Sequence, residues 1–304
     1  MKLKRMLAIV MAAGLSIFSL AGCNVTTNNY VNELTKTTTW GATSNQVSGN
    51  INILQDGVNT NITFTGTGYN NGNKGMSEIT FNDPSGNVNI PQIKCYVDNN
   101  TTYINKSYFT ELYALEGETV PSGLANINAE YIGIDSGMNI AEVQQIVNNP
   151  QKIMQFTSTL FNNEDVDLPL KQNGRQYSVN MTSDEMIDYA MKLIKAGSNN
   201  LENINSTLGL NLTAEKIAAI KSGVNNSDET VAMVKTILAG SSVSGKQTFT
   251  DNSSSTSFNI NLKIQNSASM AVSISSTSTK AEVKDIVMPT STVNLTEAQF
   301  QQLL

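Results

Sequence analysis

Two thiols, no imidazole and thinly spread carboxylates define the chemistry open to this chain of 304 residues. Without histidine the commonest general base and metal ligand is missing, and Ser–His and Cys–His nucleophiles cannot be assembled. Two cysteines, Cys23 and Cys95, are too few for the usual zinc and iron–sulfur ligand sets. The densest acids are Glu164, Asp165 and Asp167 in "NNEDVDLPL", with Asp98 in "YVDNN". Calcium needs roughly six to eight oxygens in a set loop, and no EF-hand spacing is present, so these read as solvated turns. The glycine-rich "GTGYNNGNKG" has no helix after it to receive a phosphate and also reads as a turn. No paired acids fall in an arrangement suited to a carboxylate-based hydrolase. The expectation is a chain that is not an enzyme and carries no cofactor and no metal.

Cys23 stands in a different context. Lys2, Lys4 and Arg5 form a positive start, and Met6 to Leu20 is an apolar run of 15 residues. A bilayer span needs roughly 20, so the run fits the hydrophobic region of a secretory signal. Leu20-Ala21-Gly22-Cys23 then resembles the lipobox of bacterial lipoproteins. The resemblance implies that residues 1–22 are a signal peptide that is removed. It also implies that the thiol of Cys23 takes a diacylglyceryl group, and that Cys23 becomes the acylated (palmitate-bearing) first residue. Each buried CH₂ is worth about 0.8 kcal/mol, and two chains make attachment stable where one is marginal. The protein is then held at the extracytoplasmic face of a cell membrane by its own lipid. Cys95, in "IKCYVD", is left without a disulfide partner and reads as a buried small hydrophobe.

Without residues 1–22 the chain has 16 basic and 25 acidic residues, a net charge of −9. Such a body does not bind nucleic acid by counterion release. Charged residues make up 14%, against roughly 25% in typical domains; asparagine, serine and threonine solvate the surface instead. Residues 23–46 are rich in Asn and Thr and poor in apolar groups, so they are expected to be a flexible tether. Residues 47–304 are long enough for one large domain.

Period-two alternation predicts the elements that follow. Val47, Gly49, Ile51 and Ile53 alternate before Asp56-Gly57, and Val58, Ile62 and Phe64 alternate after it, a hairpin signature. With turns at 69–75, 82–87 and "DNNT", residues 47–105 predict five antiparallel strands, one face buried. "SYFTELYALEG" predicts a short helix, with Tyr108, Phe109 and Tyr113 packing it on the sheet, and "AEYIGID" a strand. Residues 140–148 and 150–161 predict two helices. Asn173-Gly174 predicts a hairpin turn. Thr182 with Glu185 forms a capping box, opening a helical block at about 182–240 whose first helix should close at Gly197. Phe258, Ile260, Leu262 and Ile264 alternate, as do Met270, Val272 and Ile274. A short helix capped by Thr296 and Gln299 ends the chain. The class is α+β with a large antiparallel sheet.

Element order, "CYVDNNTTYIN" and "DIVMPTSTVNLTEAQFQQLL" resemble the LolA/LolB and LppX/LprG group of lipid-binding envelope proteins. The resemblance implies a sheet curled as an incomplete barrel, with helices covering its mouth and a cavity for a hydrophobic ligand. Candidate lining residues are Ile51, Ile62, Phe64, Phe81, Val179, Phe258, Ile260, Leu262, Val272 and Ile274; taken one at a time, each reads first as part of a filled core under the helices. Two readings follow. One is a membrane-anchored carrier or sensor of a lipid or acyl chain. The other is a non-catalytic surface lipoprotein that binds another protein.

Overall fold

The computed structural model describes residues 24–303 except positions 56, 73, 87–88, 136–160, 162–165, 168, 209–211 and 265–267. The helices expected at 140–148 and 150–161 therefore lie outside the described residues, Phe161 apart. So do residues 1–22, Cys23, Glu164 and Asp165.

The sheet grows outward from β1 (Thr43–Gln55). This strand pairs along its whole length with β2 (Val58–Asn70) on one side and β11 (Ala268–Lys280) on the other. Beyond β2 come β3 (Lys74–Asn82), β4 (Ile93–Asp98), β5 (Thr101–Asn105) and β6 (Tyr131–Asp135). Beyond β11 come β10 (Ser253–Ile264), β9 (Ser242–Phe249), β8 (Gln176–Thr182) and β7 (Lys171–Asn173). The five-strand meander predicted from alternation is present. Two strands were not anticipated: β9, which follows the helical block directly, and β12 (Thr292–Thr296), which lies parallel to β6 and makes the far edge. The fold is α+β, and the twelve-stranded sheet is curled but not closed. Its β7 edge is only three residues long, a length that gives another chain little to pair with. Two turns demand unusual backbone. Gly57 has φ +78° after β1, and Asn99, between β4 and β5, is the one non-glycine among the described residues with positive φ. The hairpin turn expected at Asn173-Gly174 sits one residue later: Asn173 pairs with Gln176, leaving Gly174 and Arg175 as the loop.

Helices cover the concave face in patches. α2 (Lys106–Leu115) lays Tyr108 and Leu112 over Ile93 and beside Cys95, Ile104 and Phe81. α3 (Ser122–Ala125) and α8 (Glu297–Leu303) close the β6 end through Leu124, Ile132, Tyr113 and Phe300. The Thr296–Gln299 cap of α8 forms in both directions. α4 (Ser183–Asn199) starts at the Thr182–Glu185 capping box and packs Met186 and Tyr189 on the sheet. It runs through Gly197 to Asn199, two residues past the expected stop. α5 (Leu201–Leu208), α6 (Ala214–Asn225) and α7 (Asp228–Ile237) complete the block. Ion pairs Lys221–Glu202 and Lys235–Asp188 link these helices, while α7 buries no residue and α6 buries only Ile217.

The stretch expected as a tether is structured. Val25–Thr38 form α1, and β1 begins at Thr43. Asn24 caps the helix by accepting from the Thr27 amide at 2.8 Å, and its own amide donates to Asp167 Oδ1 at 3.1 Å. Thr27, Tyr30 and Val31 are buried. Together with Leu34 they keep the i, i+3, i+4, i+7 spacing of one helix face. Tyr30 stacks edge-on against Tyr177 and Phe249. Its hydroxyl donates to Gln247 Oε1 at 2.7 Å, and Gln247 Nε2 donates to Ser254 Oγ at 2.9 Å. Thr35, Thr37 and Thr38 return their hydroxyls to carbonyls three or four residues back, so these hydroxyls are satisfied within the helix, while packing of the Tyr30 face offsets the low propensity of the run. Arg175 reaches across to Glu33 Oε2 at 2.7 Å and Asp251 Oδ1 at 2.6 Å, and Lys36 reaches Glu33 Oε1 at 3.0 Å. Burial alone would raise the Glu33 carboxyl. The hydrogen bonds and charges of Arg175 and Lys36 outweigh it and hold the group below its ordinary value.

Because α1 is packed, Tyr30→Ala should cost about 3–5 kcal/mol in urea unfolding; a loose tether would register no change. The Glu33 contribution has a defined sign. A depressed carboxyl stabilises fully above its ordinary value of 4.5 and loses that contribution as pH falls through the folded value. Arg175→Met should remove the salt-bridged stabilisation at pH 7 and flatten the acid limb of stability against pH.

Candidate functional site

The alternating residues of β8–β11 and β1–β4 share one concave face, and that face divides into two halves. In the first, Val179, Met181, Val243 and Phe258 form a filled cluster under Met186 and Tyr189, with Ile260 at its margin. In the second, Ile51, Ile53, Ile62, Phe64, Ile90 and Val272 form a floor. Above that floor is a cavity of about 500 Å³. Its apolar wall includes Val47, Ile51, Phe64, Ile79, Phe81 and Ile274, and Met76 and Val97 reach its exposed rim.

Of the residues predicted to line a cavity, Ile51, Phe64, Phe81 and Ile274 do so. Ile62 and Val272 lie beneath, each 1% exposed, as part of the floor. Val179 and Phe258 belong to the filled half, and Ile260 bridges the two. Leu262 pairs across from Met270, beyond both the filled cluster and the cavity wall. Reading by alternation missed Val47, Ile79, Cys95 and Val97 as wall residues. All four share the parity of residues that were named, so the signal was present.

Glycine shapes the wall. A Cβ at Gly49 would lie 2.3 Å from Phe64 Cζ and 2.5 Å from the Ser273 carbonyl. The Phe64 ring therefore lies across a strand position that has no side chain. The ring is then tilted against Phe81, with centroids 6.1 Å apart. At Gly66 a Cβ would meet Val47 Cγ1 and the Glu78 carbonyl, each at 2.9 Å. Glycine inside a strand commonly marks such close approach.

The wall carries no catalytic set. Burial pushes the Cys95 thiol up to about 11, against a partial opposing effect of its hydrogen bond to Ser77, so it stays protonated and unreactive. Among the described residues no group of three or more acids or cysteines is arranged to hold a metal. Asp167 accepts from the Asn24 amide and Asp98 pairs with Lys74. A second concavity of about 610 Å³ lies between α1 and the β7–β8 turn, lined by Asn29, Asn32, Glu33, Lys36 and Arg175 among others. Its charges already satisfy one another across the α1 contact, so it reads as a seam and not as a ligand site.

Compared with known protein families and curated proteins, the sequence matches no family model and no relative.

Gly49→Ala should destabilise the fold by about 1–3 kcal/mol in thermal or urea unfolding, because both clashing groups belong to packed strands. Gly223→Ala, in α6 with nothing within 4 Å of the added carbon, should instead stabilise by about 0.5–1 kcal/mol.

Proposed function

We propose that this protein is a non-catalytic, membrane-anchored lipoprotein of the extracytoplasmic face. Its half-barrel cavity binds a hydrophobic ligand, a lipid or acyl chain, as carrier or sensor. The observation that carries this reading is the apolar cavity of about 500 Å³, within the roughly 300–1,000 Å³ range of ligand pockets. Magnitude supports it. At about 24 cal/mol per Å³, an enclosed void of that size would cost about 12 kcal/mol. That is comparable to the whole net stability of a domain, about 5–15 kcal/mol. A space of this kind persists when it opens to solvent or is filled by something apolar. An acyl chain of about ten methylenes gains roughly 8 kcal/mol on leaving water, before the cost of immobilising it. No acid, base or metal takes part in such binding.

The lipobox-like Leu20–Cys23 supports the anchor. One residue, Asn24, separates Cys23 from α1. At 3.8 Å per residue this leaves no slack, so the body rides against the bilayer at the α1 end. The runner-up reading, a surface that binds another protein, is favoured by Ile194, Ile220, Met233 and Ile237. These are exposed apolar residues of the helical block, and exposed apolar surface of this kind marks contact sites when contiguous.

Labelled palmitate should attach to the full chain in a bacterial host and not to its Cys23→Ala variant; equal labelling would remove the anchor. Native mass spectrometry of the Asn24–Leu304 chain, which retains every described element, should show a co-purifying lipid mass. Ser276→Trp, which places an indole in the cavity, should lose that mass while keeping the circular dichroism of the parent. A clean apo mass, together with no change in melting temperature on adding lipids, would count decisively against the ligand reading. Cys95 reports independently: its reaction with a disulfide reagent should be slow at pH 8, rise with pH toward about 11, and slow further when the cavity is filled.

A further inference from the structure

Among the described residues, the cavity is lined by no charged side chain. Its polar groups are amides and hydroxyls, among them Asn45, Asn70, Ser77, Ser276 and Ser278. Each of these types both donates and accepts hydrogen bonds. Lys74 and Asp98, chain neighbours of the lining residues Gly75 and Val97, face each other across β3 and β4 with Nζ and Oδ2 3.9 Å apart, so each charge is opposed by the other. Two titratable groups line the wall: burial keeps the Cys95 thiol protonated at physiological pH, and the Tyr69 hydroxyl donates to the Glu282 carbonyl at 2.8 Å.

An ionised head drawn into such a site loses its water and meets no counter-charge. That penalty is far larger than for a neutral hydroxyl or amide, which exchanges its water for the polar lining. We propose that the cavity selects an uncharged amphiphile, an apolar chain ending in a neutral hydroxyl or amide head, over one ending in an ionised carboxylate or phosphate. This rests on the ligand-binding function proposed above and names the ligand class of the same site.

The test compares two probes with the same chain on the Asn24–Leu304 protein at pH 7, monododecanoylglycerol and dodecanoate, by calorimetry below their aggregation concentrations. The neutral probe should bind at least tenfold more tightly. Val97→Lys sets a cation at the rim, at a position already 36% exposed, and should narrow the preference for the neutral probe over dodecanoate, whatever it does to the affinity of either alone. Equal affinity of the two probes for the parent protein would overturn the selectivity and leave the hydrophobic site standing. Binding of neither probe would overturn the ligand reading itself, and the selectivity with it. Should Val97→Lys fail to fold, by circular dichroism and melting, the comparison on the parent protein still decides.

Discussion

The register of β1 against its two neighbours is the constraint on which this molecule depends. Ile51 pairs with Ile62 on one side and with Val272 on the other, and Val272 pairs in turn with Ile260. One row of aliphatic side chains thus crosses four strands on one face. A one-residue slip in any ladder would send that strand's whole apolar set to the wet side. The opposite face of the same strands carries Ser48, Asn50, Thr65, Ser273, Ser275 and Asn259, aligned by the same pairings. It is solvated by hydroxyls and amides with few charges, the Asn50–Asn61 contact being one of its cross-strand links. One alternation thus sorts the strands into an apolar concave face and a face of hydroxyls and amides.

That alternation made most of the fold legible. Five strands before residue 105, the capping box at Thr182, the helices of the 182–240 block and the Thr296–Gln299 cap all rest on local signals a few residues long. What escaped was non-local or composition-driven. β12 contains "TVNLT", too short to alternate convincingly, and exists because β6 offers it a parallel edge. Helix α1 was hidden by its asparagines and threonines, which are poor helix formers in isolation. Its Thr27–Tyr30–Val31–Leu34 stripe was readable, but propensity argued against it, and tertiary packing on Tyr177 and Phe249 decided the matter.

The candidate site was only half legible for a related reason. Alternation states which face a residue occupies, not how much lies above it. Phe64 and Phe258 have the same parity and similar burial, 9% and 3% exposed. One walls a cavity and the other supports α4. The distinction comes from where the described helices land: α4 covers β8–β10 and α2 covers β4–β5, and among the described residues neither reaches across β1–β2. It also comes from Gly49, whose missing side chain lets Phe64 lie flat across the strand. Helix placement along a sheet is set by loop lengths and by contacts distant in sequence, and neither leaves a period in the chain.

The docking of α1 bears on how anchor and cavity are related. α1 holds the β8–β9 side of the sheet through Tyr30, Gln247 and Arg175. The cavity centres on β1–β3, with β2 five strand positions from β8. At about 4.8 Å per strand the separation along the sheet is roughly 24 Å. The polar contacts that fix the chain's start and the apolar walls that receive a ligand therefore share no residue. In the proposed reading this separation has a physical consequence. A ligand entering the cavity would touch neither the Tyr30 cluster nor the Glu33–Arg175 pair, the contacts that hold α1.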